Sequence, residues 1–465
     1  MILNNSLAGG HVVDNSNHIL IFAQNKQIMR KGKNGKLSLV ELISLAVGTM
    51  IGASIFSIFG VGAEIAGKNL PVAFILSGLY AFVVAYSYGK LGSKIISNAG
   101  PIAFIMRGVG NNVFTGAMSI LMWLTYVVSV ALFANGFAGY FLPLFHLPVN
   151  TFSTGMTMVL LIVFFTALNF FGSKAVGKAE FWIVLIKLSI LGLFIVAGFV
   201  SLKFSNVTPH FDKEGWNGIL HASVIFFLSY MGFGLITNAS ENVDRPEKNI
   251  PKAIYISISI VIFIYVSVSL VAIGNLSLKE IVKAEDNALA LAAEPFFGSF
   301  GFILISVGAL FSISSAMNAT IYGGANIAYS LAKDGELPEI FERKVWFKSP
   351  EGLYITSGLS ILFALLFNIG QIASITSSIF TIIYIFVIYS HYKLVDKVGG
   401  RKIVIITNLM IISAVFVALL FYQYETQPSA FWGSVITISG ALVLDAVYKK
   451  MTSRTFKKRD GAERY

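Results

Sequence analysis

A bilayer leaves a chain almost no choice of structure, and this sequence is patterned for one. Twelve apolar stretches bounded by charged or turn residues fall near 38–66, 71–97, 112–142, 152–171, 179–202, 217–240, 252–274, 298–331, 353–369, 372–392, 403–423 and 430–448. A hydrocarbon core of about 30 Å takes about 20 helical residues to cross, and inside it every backbone polar group must bond within the protein. Twelve membrane-spanning helices are therefore predicted, making the chain an all-α integral membrane protein. Composition excludes the other classes. Of 465 residues, 56% are apolar and only 12% charged, about half the charged fraction of a soluble chain. A cytosolic enzyme, a disordered chain and a nucleic-acid binder are all ruled out.

The net charge of +11 is distributed by side. With the N-terminus inside, 28 of the 34 Lys and Arg residues fall on the cytoplasmic side of the twelve spans. The external loops hold Lys68, Lys203, Lys213, Lys279 and Lys283, and Lys187 alone lies within a span. Cytoplasmic loops gather such an excess, so the chain is placed in the cell membrane with both termini cytoplasmic. Residues 1–36 read as a disordered cytoplasmic tail. Their one apolar patch, Ile19 to Ala23, is too short for a signal sequence and has no small-residue cleavage site. Met29 offers a second start before Arg30-Lys31-Gly32-Lys33. Residues 449–465 form a basic cytoplasmic tail. The absence of cysteine excludes disulfides, thiolate chemistry and Cys-ligated metals.

Two spans are interrupted at matching places. The first contains Val47-Gly48-Thr49-Met50-Ile51-Gly52-Ala53-Ser54-Ile55-Phe56 and the sixth Phe226-Phe227-Leu228-Ser229-Tyr230-Met231-Gly232-Phe233-Gly234. Glycine inside a helix costs about 1 kcal/mol relative to alanine, and small residues also serve close helix packing. These two spans, however, each open one half of a five-plus-five arrangement. Paired interruptions at mid-membrane point to an inverted-repeat transporter whose site lies at discontinuous helices. Unwinding frees peptide groups that must then meet a ligand or water. N–H groups near Gly52, Ala53 and Ser54 suit a carboxylate, by helix-terminus electrostatics. Carbonyls near Gly48 and Thr49 suit a cation, and those of Ser229 and Tyr230 suit an ammonium group. An amine and a carboxylate on one small molecule describe an amino acid.

At these residues the chain resembles the amino acid–polyamine–organocation superfamily of transporters. The resemblance is carried by Gly48 to Phe56, by Asn238-Ala239-Ser240-Glu241-Asn242-Val243, by Pro246-Glu247-Lys248-Asn249-Ile250-Pro251-Lys252-Ala253-Ile254, and by Gly323 to Pro338. It covers about 37–450 and is strongest to archaeal proton-coupled members. It implies the LeuT-like fold: a first repeat over 37–202, a second over 203–392 and two further helices over 393–448. Gly234 departs from the pattern, standing where many relatives carry a glutamate.

Lys187 lies in Phe181-Trp182-Ile183-Val184-Leu185-Ile186-Lys187-Leu188-Ser189-Ile190. Nine residues from a helix entry near Lys178 place it about 13 Å deep, close to the bilayer centre. A lysine there costs about 3 kcal/mol or more by insertion scales, so it must face a partner or water. No acidic residue lies at comparable depth, which leaves backbone carbonyls. In sodium-coupled members of the fold, carbonyls of span one and residues of span eight hold a sodium ion. The resemblance puts Lys187 at that position, facing Gly48 and Ser312. Proton binding there is expected to alternate with substrate binding and couple transport to the proton gradient; a permanently charged strut is the rival reading.

The residues expected at the substrate are Ile51, Gly52, Ala53, Ser54, Phe227, Ser229, Tyr230, Met231, Gly232 and Phe233. None is acidic or an arginine, so neutral amino acids are favoured, and Met and Phe walls adapt to several shapes. The expected function is import of neutral L-amino acids with broad specificity. It is proton-coupled, sodium-independent and runs by alternating access, with no cofactor, no metal, no nucleic-acid partner and a single copy as the unit. Sodium coupling and amino acid exchange are the alternatives within the fold. An embedded enzyme lacks its residues: His11, His18, His146, His210, His221 and His391 all lie in the tail, loops or span ends. No ring of acids or repeated filter marks a channel. Glu241, Asp244, Arg245, Glu247 and Lys248 form a charge cluster on the inner face, read either as a solvated loop or as an inner-gate latch.

Overall fold

The computed structural model describes residues 36–52, 54–97, 99–169, 176–333, 335, 337–345 and 349–452, the side chains of 176–182, Glu285 and Thr452 excepted. The predicted tail up to residue 35, the site residue Ala53 and the basic segment from residue 453 lie outside the described residues. Among the described residues the chain is helical, with two isolated β-bridges, Leu37–Val243 and Lys344–Pro350.

Eleven helical stretches among the described residues are long and apolar enough to cross a membrane. The ninth predicted span falls just short, because its helix runs only over the sixteen residues Glu351–Leu366. The sequence reading carried that span to 369. Asn368 ends it sooner by capping the next helix, Ile369–Val398: its Oδ1 accepts from Gln371 N at 2.9 Å, and Gln371 Oε1 accepts from Asn368 N at 3.1 Å. A reciprocal pair of this kind satisfies two helix-end donors and fixes a tight connection.

The third span, Val113–Leu144, is the centre of the bundle, with 78% of its apolar window buried against 28% for Lys402–Thr426 and Pro428–Met451 at the rim. It packs on the eighth, Ser299–Lys333, and the seventh, Pro246–Asn275, packs on the second, Leu70–Lys94. Glycine allows the closest approach. A Cβ at Gly136 of the third span would stand 2.0 Å from Ser57 Oγ. The fifth span is Val176–Val200.

The first span starts from a reciprocal cap between Ser38 and Glu41 and runs over Leu39–Met50. It leaves helical geometry at Ile51 (φ −82, ψ 34), resumes over Ser54–Ser57, and is interrupted again at Ile58 before Phe59–Ala66. The sixth behaves differently from the first. Its helix Lys213–Phe226 continues as a 3₁₀ turn over Phe227–Gly234 and then Leu235–Asn238. The winding tightens from Phe227 onward rather than opening at the glycines, which lie at the end of the stretch. A 3₁₀ stretch keeps i→i+3 bonds of poorer geometry and marks a strained or hinged place in a helix.

Candidate functional site

A helix that stops inside a bilayer leaves carbonyls to be met by something other than its own backbone. At the first span, three other helices supply the donors. Lys187 Nζ of the fifth span donates to Gly48 O at 2.5 Å. The Tyr265 hydroxyl of the seventh donates to Met50 O at 2.5 Å. Ser312 Oγ of the eighth donates to Gly52 O at 2.9 Å. Within the span, Ser54 Oγ donates to Met50 O at 3.2 Å.

Lys187 reaches its carbonyl because of the residue below it. A Cβ at Gly48 would stand 3.0 Å from Val184 Cγ2. Val184 and Lys187 are three apart, so they share a helix face; the bare Gly48 lets that face close on span one. Lys187 is 5% exposed. A buried ammonium with a carbonyl partner avoids much of the penalty of a lone charge.

The broken first span and the 3₁₀ stretch of the sixth come close at Gly232. A Cβ at Gly232 would lie 2.8 Å from Met50 N, and Thr49 Oγ1 donates to Gly232 O at 3.4 Å as well as to Leu45 O at 2.8 Å. Tyr265 joins the same junction: its hydroxyl lies 3.3 Å from Ser229 O and 3.4 Å from Ser54 Oγ. One hydroxyl hydrogen therefore sits between carbonyls of both spans. Carbonyls where the sixth span changes winding receive hydroxyls from its flanks, Ser77 Oγ to Ser223 O at 2.8 Å and Ser377 Oγ to Val224 O at 2.7 Å.

Of the residues expected at the substrate, Ile51, Gly52, Ser54, Phe227, Ser229, Tyr230, Met231 and Phe233 are buried and Gly232 is half-buried. They converge on the junction in different ways. Ser229 Oγ is buried with no hydrogen-bond partner. The Tyr230 hydroxyl is turned away, donating to Phe74 O of the second span at 2.8 Å. Phe233 lies edge-on to Tyr88 and stacked on Tyr384, whose hydroxyl reaches Met231 O at 3.5 Å. Gly48 and Lys187 are joined directly, and Ser312 is anchored four residues further along the same break. Thr49 is expected from the sequence for its carbonyl, whereas Tyr265, Ser77, Ser377 and Tyr384 are not among the expected site residues. A hydroxyl amid the Ile- and Val-rich run of span seven was the available signal for Tyr265. Among the described residues no group of three metal-ligating side chains converges.

Residues 37–441 match the profile of a family described as amino acid permease. An uncharacterized protein of Methanocaldococcus jannaschii is 64% identical over 91% of this chain and 98% of its own length. The inner membrane transport protein YbaT of Escherichia coli is 31% identical over 91% and 98%. The methylthioribose transporter of Bacillus subtilis is 29% identical over 90% and 94%.

Proposed function

The chain belongs to the amino acid permease family, a multi-pass membrane transporter and not an enzyme, and on that footing we propose that it imports neutral L-amino acids, with broad specificity and coupled to protons rather than sodium. The single observation that carries the reading is the buried Lys187 ammonium on the Gly48 carbonyl, beside the point where the first span stops. A cation fixed at that break takes the position that the resemblance gives to sodium.

The substrate's carboxylate goes to the free N–H groups where the first span resumes at Ser54, and its ammonium to the carbonyl edge of Ser229 and Tyr230. No acid or arginine stands among the expected pocket residues to pair a charged side chain. Burying an unpaired charge costs several kcal/mol or more. Neutral side chains carry no such cost, and Phe227, Met231 and Phe233 offer them an apolar wall. With both termini cytoplasmic, the site opens alternately to either side as the inner half of the broken first span rocks against the sixth. Loss of the Lys187 charge weakens its bond to Gly48 O and loosens the tie between spans five and one, so protonation and substrate occupancy alternate.

A thermal-shift screen of the common amino acids against purified protein tests the substrate class. A ligand at 100 times its Kd stabilises by about 2.7 kcal/mol. Several neutral amino acids are expected to raise the melting temperature, while lysine, arginine and glutamate leave it unchanged. A response confined to charged amino acids would overturn the assignment.

A further inference from the structure

Leu37 stands two residues before the inner half of the broken first span and is joined to the chain beyond the sixth. Its N–H donates to Asn242 O at 2.7 Å, and its carbonyl accepts from Asp244 N at 2.9 Å, bracketing Val243 as one rung of a parallel ladder. We propose that this backbone rung is the cytoplasmic latch of the transport cycle, closed while the site is shut to the cytoplasm and parted for release. The proposal rests on the alternating-access reading and on the inside placement of this face.

One side of the rung moves with the first span. Ser38 N donates to Glu41 Oε2 at 2.6 Å, and Glu41 is buried, so the residues next to Leu37 are welded to the helix Leu39–Met50. The other side is fixed to the bundle. Ser240 Oγ accepts from Ser97 N at 2.9 Å and donates to Ser97 O at 3.1 Å. Asn238 Oδ1 fills the space over Gly100 (φ 53), where a Cβ would lie 1.8 Å away. Val243 is fully buried, and Asn249 Nδ2 holds Asp244 O at 2.5 Å.

The lever is long enough to matter. Fourteen residues separate Leu37 from the break at Ile51, about 21 Å of helix, so a tilt of about 10° about the break carries Leu37 about 4 Å. Bonds of 2.7 and 2.9 Å do not survive that displacement. Any inward opening that swings the inner half-helix must therefore part the rung. The link is main chain throughout, which separates it from a latch made by the side chains of Glu241, Arg245, Glu247 and Lys248.

The chain has no cysteine, so Leu37→Cys with Val243→Cys introduces the only reactive pair. Rungs on adjacent strands lie about 4.8 Å apart, within disulfide reach. In proteoliposomes, oxidising that pair is expected to stop amino acid uptake, with reductant restoring it and the thermal shift by substrate retained throughout. Separately, Leu37→Pro deletes one donor and is expected to speed labelling of Val243→Cys by an impermeant maleimide at the cytoplasmic face about two- to tenfold. A cross-link verified by mass that leaves uptake at the uncross-linked rate overturns the latch, as does unchanged labelling in the Leu37→Pro background. Faster labelling in the Leu37→Pro background, with no uptake by the protein that keeps Leu37 and Val243, supports the latch and overturns the transport reading beneath it.

Discussion

Replacing Lys187 by methionine keeps the linear stem and deletes only the ammonium, and its two consequences can be sized separately. The bond from Lys187 Nζ to Gly48 O is 2.5 Å long and buried; a hydrogen bond from a charged donor contributes about 1.5–3 kcal/mol. Against that, holding an ammonium at mid-membrane costs about 2.5–3.5 kcal/mol on insertion scales. The two largely offset, so Lys187→Met is expected to change unfolding free energy by no more than about 2 kcal/mol. Coupling has no such compensation, because the one basic side chain bonded to the break among the described residues is gone. Reconstituted Lys187→Met should bind neutral amino acids and equilibrate them, yet fail to concentrate them under an acid-outside gradient. A structural strut gives the opposite pattern, a large loss of stability with gradient-driven accumulation intact. Accumulation at the unmodified rate would refute the reasoning about Lys187.

Tyr265→Phe removes the hydroxyl placed between Met50 O and Ser229 O; Ser54 Oγ still reaches Met50 O at 3.2 Å, so the loss is expected to cost about 0.5–1.5 kcal/mol of stability, read as a lowered melting temperature. Gly136→Ala places a Cβ 2.0 Å from Ser57 Oγ, an overpacking that costs about 1–3 kcal/mol, and should lower the melting temperature measured in detergent.

Most of the fold is legible in the sequence because a bilayer turns hydropathy into geometry: run length sets the spans, and the side on which Lys and Arg gather sets the proposed orientation. Boundaries are less so. Asn368 ends the ninth span by a side-chain cap that hydropathy does not weigh. The candidate site is only partly legible. Gly48, Gly52, Ser54 and Lys187 stand out as small or charged residues in apolar runs, and the structure joins Lys187 to Gly48. Tyr265, Ser77 and Ser377 did not stand out, since a hydroxyl in a membrane helix most often bonds its own backbone one turn back. Only tertiary contact shows that these three reach other spans. The sixth span exposes a further limit: its glycines mark a change of winding, but sequence alone does not separate an open segment from a 3₁₀ turn.

If, as proposed, this permease moves neutral amino acids on a proton gradient through the junction of its first and sixth spans, radiolabelled neutral amino acids should accumulate in proteoliposomes carrying an acid-outside gradient in sodium-free buffer. That concentrative uptake is expected to be abolished by a protonophore and unchanged by added sodium. Uptake that appears only with sodium, or only as one-for-one exchange with amino acid preloaded inside, would contradict the proposal.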